Sequence, residues 1–209
     1  MDGSGREGRL FGKDGVLEQR RSLEVWRPRW RAEVLAGPPL IAPARQFVYP
    51  RMVAGEEDAL ARGALRVLVH PAAGGVFLAT CALGFTNEAM PTGVFACPNP
   101  EEVCFVAGGY AYLVNTAEPG GCTHLGLRPV VEVRVLAEQG LLLFAGFHSL
   151  LAWGVEGLAW ETRRLSWEGV RIEGVIGDEL RGFGWDLRTD REVGFVVDLR
   201  SGECEGGAF

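Results

Sequence analysis

A spacing of 25 residues recurs near the C-terminal end of the chain, and it constrains the fold more than any other feature. The two copies span 157–181 and 182–206, and each contains a Trp-bearing segment, a polar turn, an alternating segment and a glycine turn. Glycine, tryptophan, acidic and β-branched positions keep register when Gly157–Glu161 is placed over Gly182–Asp186 and Gly169–Glu173 over Gly194–Asp198. Repeated strand-and-turn units decide the fold class before any motif does. The repeat therefore predicts an all-β protein.

Short apolar segments separated by turn residues continue this pattern from Ala64 onward. Alternation over 65–69, followed by the apolar segment 76–81, predicts one hairpin, and Gly108-Gly109 is the turn signal of another. Valines at 131, 133 and 135 alternate with charged residues, which is typical of a half-buried strand. Roughly a dozen strands at this spacing predict an antiparallel β meander, arranged as a propeller-like array, a sandwich or a barrel.

Residues 1–50 differ from the rest because they are rich in arginine and proline. They predict an N-terminal extension that packs on a single all-β domain at 51–209. Within the extension we expect strands at Leu23–Trp26 and Arg31–Leu35. Trp26 and the nearby Trp30 indicate that this segment docks on the body, because large aromatic side chains gain from burial.

One short helix is predicted at Glu56–Gly63. Acidic residues stand in its first turn, where the helix dipole favours them, and Gly63 is a natural C-terminal stop.

Charge and hydropathy exclude several classes of partner. The formal net charge is −6, but residues 1–51 carry +4 and residues 52–209 carry −10. The acidic body argues against a nucleic-acid partner, and the charge asymmetry leaves assembly into an oligomer open. No apolar run reaches the roughly 18–20 residues of a membrane span, and the first residues lack the layout of a signal peptide. We therefore expect a cytoplasmic protein without a membrane partner.

Two segments resemble a known architecture. Val106–Val114 reads VAGGYAYLV and resembles a strand of some bacterial β-propeller blades. The segment from Leu141 to Trp160 is similar to the inner strands of quinoprotein-like propellers. The resemblance covers about half the chain and implies a propeller-like β meander. The chain as a whole also resembles small uncharacterised bacterial proteins, and that resemblance implies no function.

Four residues are of the types that bind zinc, namely Cys97, Cys104, Cys122 and His124. Their spacing matches neither a zinc knuckle nor a zinc ribbon, so no metal or other cofactor is predicted. Whether the four meet in space is left open. The chain has five cysteines, and an odd number without a signal peptide indicates reduced thiols.

Catalytic signatures are incomplete. A small hydrolase or metal-dependent enzyme would use His124 or His148 with a nearby cysteine or carboxylate. Ser149 does not lie in a Gly-x-Ser-x-Gly elbow. Glu161 and Asp186 occupy equivalent repeat positions, which explains them without catalysis. No catalytic residue is assigned.

Aromatic residues are the remaining indication of function. Such side chains in a β scaffold stack on ligands or on partner proteins, and they also fill cores. The candidate binding residues are Trp160, Trp185, Tyr110, Tyr112 and His148. The leading hypothesis is a non-enzymatic binding or protein-interaction module with a protein partner or a small ligand, and the enzyme described above is the alternative.

Overall fold

The computed structural model describes residues 13–50, 58–87 and 89–208, and it confirms a mostly β fold with a single helix. The described residues form helix α1 (Lys13–Trp26) and sixteen strands in four sheets of four strands each. Within these ranges, no helix has the length and apolar content needed to cross a membrane.

Sheet 1 has the strand order β1-β3-β4-β2. Its strands are β1 (Trp30–Leu35), β2 (Arg45–Tyr49), β3 (Ala64–Pro71) and β4 (Phe77–Ala82). Strand β2 runs parallel to β4, whereas the other pairs are antiparallel. The segment 1–50, expected to be an extension, thus supplies two of the four strands of this sheet.

Sheets 2, 3 and 4 are antiparallel meanders whose strands follow chain order. Sheet 2 consists of β5 (Gly93–Ala96), β6 (Glu102–Ala107), β7 (Tyr110–Asn115) and β8 (Thr123–His124). Sheet 3 consists of β9 (Glu132–Leu136), β10 (Leu141–Ala145), β11 (Leu150–Gly154) and β12 (Gly157–Glu161). Sheet 4 consists of β13 (Val170–Ile176), β14 (Glu179–Asp186), β15 (Arg191–Asp198) and β16 (Cys204–Gly206).

The predicted hairpins are confirmed. Strands β3 and β4 pair in antiparallel register, as do β6 and β7. Gly108 and Gly109 form the turn between β6 and β7 with φ angles of 56° and 80°, a region that glycine enters without steric cost. The valine alternation becomes β9, with Val133 and Val135 buried and Glu132 and Arg134 half-buried.

The predicted positions of the helix and of one N-terminal strand are wrong. Leu23–Trp26, expected to be a strand, is the last turn of α1. Residues 58–63 of the predicted helix Glu56–Gly63 form a turn, and residues 56 and 57 lie outside the described residues. The Asp58 side chain accepts a hydrogen bond from the backbone N–H of Leu60 at 2.9 Å. Such a local bond from an Asp side chain competes with helix formation and favours a turn.

The two copies of the 25-residue repeat occupy different structural positions. Gly157–Glu161 is the last strand of sheet 3, whereas Gly182–Asp186 lies in the second strand of sheet 4. The unit that recurs in the structure is the four-stranded sheet. The sequence pattern marks strands and turns within that larger unit.

Three clusters of buried side chains lie between successive sheets. They include Val67, Phe77 and Phe105 between sheets 1 and 2, Phe95, Val135 and Phe144 between sheets 2 and 3, and Leu143, Leu180 and Phe195 between sheets 3 and 4. Since neighbouring residues of a strand face opposite sides, sheets 2 and 3 contribute to two cores each. This explains why β6 and β10 are apolar almost throughout.

Candidate functional site

Helix α1 contacts sheet 2 through polar side chains. Gln19 Oε1 accepts a hydrogen bond from the backbone N–H of Val94 at 3.0 Å, and Ser22 Oγ accepts one from Ala96 at 3.0 Å. Both donors belong to β5, the first strand and a free edge of its sheet. The helix therefore satisfies N–H groups that an edge strand otherwise leaves to water or to another chain.

The same helix contacts the first strand of sheet 3. Glu18 Oε2 accepts a hydrogen bond from the backbone N–H of Val135 in β9 at 2.6 Å. Glu18 also pairs with Arg21, one helical turn further on, at 3.4 Å. Glu18, Gln19 and Ser22 of α1 thus contact the first strands of two sheets.

Most apolar side chains of α1 are exposed, but the half-buried Trp26 packs against the cores between sheets 1 and 2 and between sheets 2 and 3. Val16 is 54% exposed and Leu17 is 62% exposed, while Ser22 is fully buried. The helix is consequently reversed relative to an ordinary amphipathic helix, whose apolar stripe faces the core. Hydrogen bonds to strand edges and the packing of Trp26 together hold it in position.

A cavity of about 1030 Å³ opens between α1, β9 and β13, and we call it the α1 cavity. Its wall combines the N-terminal half of the helix with the first strands of sheets 3 and 4 and the segment before β5. The lining residues include Glu18, Arg21, Pro91, Glu132, Arg134, Glu138, Gln139, Val170, Ile172, Val175 and Gly177. The sequence offers only an indirect signal for this site, namely charged residues that alternate with valine in β9.

Charged and amide side chains of β9 and of the turn after it reach toward β13 and the turn after that strand. Arg134 forms an ion pair with Glu132, and its Nη2 donates to the carbonyl oxygen of Ile172 at 3.4 Å. Gln139 Nε2 donates to the carbonyl oxygen of Gly177 at 2.9 Å. The cavity therefore presents donors and acceptors of both signs. Partly exposed ion pairs of this kind contribute little stability, so a ligand can replace them at small cost.

Tyr110 and Tyr112, both predicted to bind a ligand, lie together with His124. The His124 ring is 5.0 Å from the Tyr110 ring centroid and 4.7 Å from that of Tyr112, on which it stacks. Both tyrosines are buried, and the Tyr112 hydroxyl donates to the carbonyl oxygen of Ala82 at 2.8 Å. A Cβ at Gly84 would overlap the Tyr110 ring. The surrounding contacts are those of side chains packed between sheets 1 and 2.

His124 also borders a second cavity. This cavity measures about 510 Å³ and is lined by Gln46, Phe47, Val48, Tyr49, Pro50, Gly120, Cys122 and His124. Tyr49 is buried and donates a hydrogen bond to the carbonyl oxygen of Pro119 at 2.5 Å. Burial raises the pKa of the Tyr49 phenol far above its ordinary value. The phenol is therefore a neutral donor at physiological pH.

The remaining predicted binding residues lie around sheets 3 and 4. Trp160 is buried between those sheets, and its Nε1 donates to the carbonyl oxygen of Leu199 at 2.8 Å. Trp185 is half-buried, and its backbone N–H donates to Ser166 Oγ at 2.8 Å. His148 is exposed, with Nδ1 3.1 Å from the carbonyl oxygen of Ser166.

The five predicted binding residues thus form no common site. Tyr110 and Tyr112 belong to sheet 2, whereas Trp160, Trp185 and His148 lie about sheets 3 and 4. Within the described part of the chain, none of the five lines the α1 cavity. Their binding role stays a prediction.

The cysteine chemistry follows from burial. Cys97 and Cys104 lie in the core between sheets 2 and 3, and Cys122 packs at the core between sheets 1 and 2. Burial raises the pKa of the Cys97 and Cys104 thiols well above the ordinary value, and it raises that of Cys122 to about 12. Among the described residues, no three His, Cys, Asp or Glu side chains are placed to hold a metal ion.

Comparison with known proteins adds no family to this geometry. No protein-family model matches the chain, and no curated protein matches it either.

Proposed function

We propose that the chain is a non-enzymatic binding protein that holds a polar ligand in the α1 cavity. The observation that carries the proposal is the cavity itself, about 1030 Å³ in volume and walled by a helix and two strands from different sheets. Binding clefts in proteins measure roughly 300–1000 Å³. The cavity is thus large enough for a peptide or a small polar molecule.

The charges in the cavity narrow the ligand class. Arg21 and Arg134 supply donors, while Glu18, Glu132 and Glu138 supply acceptors. Because both signs are interspersed, a ligand with its own donors and acceptors fits better than a polyanion or a polycation.

The first strands of sheets 2 and 3 contact α1, which supports a propeller-like arrangement of the sheets around that helix.

The enzymatic alternative stays a prediction with less support. A cysteine nucleophile acts as the thiolate, and the raised pKa of Cys122 keeps that thiol protonated at neutral pH. The observed ring contact of His148 is with the backbone carbonyl of Ser166. The protonated thiol of Cys122 and the backbone contact of His148 favour structural roles for these two residues.

The test uses two Arg–Glu pairs of the same kind. Arg134 pairs with Glu132 inside the cavity, and Arg181 pairs with Glu179 on the exposed part of sheet 4, each across two positions of one strand. A library of small polar compounds and short peptides is screened against the full chain by ligand-observed NMR. We expect Arg134→Met to weaken the hits about tenfold or more, with Arg181→Met binding them as the unmodified chain does. Hits that respond equally to both substitutions, or to neither, would contradict the proposal.

A further inference from the structure

The first strand of sheet 4 differs from the first strands of sheets 2 and 3. The edge of β5 is bonded by Gln19 and Ser22, and the edge of β9 is bonded by Glu18. Over the described ranges, α1 forms no hydrogen bond with β13. Strand β13 nevertheless lies at the edge of its sheet, with β14 on its other side.

One hydrogen bond shows which backbone groups of β13 face the cavity. Arg134 reaches the carbonyl oxygen of Ile172, so this carbonyl points away from β14. In an extended strand, the N–H of a residue points to the same side as its C=O, and this side alternates along the chain. A bulge between Ile172 and Gly174 resets the alternation. Val170, Ile172 and Val175 therefore turn their N–H and C=O groups toward the α1 cavity, which all three line.

The dimensions of the cavity suit one extended chain. A strand within a stack of sheets fills about 160 Å³ per residue, taking a rise of about 3.3 Å, a strand spacing of about 4.8 Å and a sheet spacing of about 10 Å. The cavity of about 1030 Å³ therefore corresponds to about six strand residues. Strand β13 itself has seven residues.

We propose that the ligand of the α1 cavity is an extended peptide segment that adds to β13 as a fifth strand of sheet 4. This inference rests on the proposed function. The backbone of the peptide would bond to the outward groups of Val170, Ile172 and Val175. Addition of a strand to a free sheet edge is an established mode of peptide recognition. Arg134 and Glu132 would contact alternate side chains of the peptide, because successive side chains of a strand point to opposite faces.

The experiment scans the peptide backbone. Heptapeptides are selected from a random phage-displayed library against the full chain, synthesised, and titrated against it by fluorescence anisotropy. Each amide of a selected peptide is then N-methylated in turn, which removes one hydrogen-bond donor while the protein stays unchanged. We expect a loss of about 3- to 10-fold at every second position and little change at the positions between.

Two protein variants accompany the scan. Val175→Pro removes an outward N–H of β13, whereas Val175→Ala shortens the same side chain and keeps that N–H. We expect Val175→Pro to weaken peptide binding about tenfold more than Val175→Ala does, because only the proline variant loses the N–H. Circular dichroism checks that both variants fold. If Val175→Pro does not fold, the N-methyl scan on the unmodified chain alone tests strand addition.

The outcomes separate the two proposals. Arg134-dependent binding of a peptide without alternation in the scan would overturn strand addition and leave the proposed function standing. Arg134-dependent binding of small compounds, with no peptide recovered, would do the same. Sedimentation that shows a dimer lost in Val175→Pro would assign the edge to a second copy and overturn the inference. Failure of every compound and peptide to bind would overturn both proposals.

Discussion

Glu18 Oε2 lies 2.6 Å from the backbone nitrogen of Val135, and this hydrogen bond joins α1 to a strand 117 positions further along the chain. The contact is unusual because a side-chain carboxylate completes the edge of a β-sheet. The carboxylate takes the place of the acceptor that a neighbouring strand would supply. The helix consequently belongs to the architecture of the sheets and is more than an appendage to them.

We expect Glu18→Ala to lower the free energy of unfolding by about 1–3 kcal/mol, because the N–H of Val135 loses its acceptor. Glu24→Ala is the matched control in the same helix, since Glu24 is well exposed and its partner is the exposed Arg20. That control should change stability by less than about 0.5 kcal/mol. Urea unfolding of both variants measures the difference, and equal effects would show that the bond to Val135 adds no stability.

The close approach of Gly184 to the backbone of Leu165 predicts a large effect of a single methyl group. A Cβ on Gly184 would overlap the Leu165 carbonyl oxygen, and a backbone atom cannot move aside as a flexible side chain does. Gly184→Ala should therefore destabilise the fold by about 2–4 kcal/mol. Gly194→Ala is the control, because the nearest atom to a Cβ there lies 4.0 Å away. Thermal unfolding that ranks the two variants in the opposite order would contradict this account.

The two repeat tryptophans should differ in their contribution to stability. Trp160 is buried and hydrogen-bonded to Leu199, so Trp160→Ala should cost about 3–5 kcal/mol. Trp185 is half-buried and engages Ser166 through its backbone, so Trp185→Ala should cost roughly half as much. Denaturant unfolding tests the ranking. If Trp185→Ala unfolds the chain as Trp160→Ala does, a ligand-contact role for both residues is excluded.

Buried thiols predict a loss of stability in alkaline solution. Burial raises the native pKa of Cys81, Cys97 and Cys104 well above the ordinary value of 9.0, and that of Cys122 to about 12. The native state thus retains protons that the unfolded state releases. The stabilisation is fully present below about pH 9 and declines as the pH rises from there toward 12.

Urea unfolding at about pH 7.5, about pH 9 and about pH 10.5 measures this decline. The variant Cys122→Ala removes one of the titrating groups, so its stability should fall less steeply over the same range. A free energy of unfolding that stays constant up to about pH 10.5 would contradict the assignment of these thiols to the core.

Local turn chemistry and alternation were enough to predict much of the sheet structure. Gly108 and Gly109 form the predicted turn, and the valines at 133 and 135 are buried as their spacing indicates. Helix α1 could not be recognised in the same way, because Val16 and Leu17 face solvent while Gln19 and Ser22 make the contacts. A pattern of apolar residues indicates burial of apolar surface, and apart from Trp26 this helix is held by hydrogen bonds to strand edges.

The α1 cavity could not be predicted from the sequence, for a related reason. Its wall brings together Glu18, Arg134 and Ile172, which belong to a helix and to two different sheets. No local motif joins them, because their proximity results from the order in which whole sheets stack. Trp160 and Tyr112 were predicted to bind a ligand because of their residue type, yet both are core side chains in the structure.

The bonds from α1 to β5 and β9 also set an order of events during synthesis. The partners of Gln19 and Ser22 lie 75 and 74 positions downstream, and that of Glu18 lies 117 positions downstream. A chain that emerges from the ribosome N-terminus first must make sheet 2 and the start of sheet 3 before the helix can dock. Helix α1 is therefore fixed in place only after residues far downstream of it have been made.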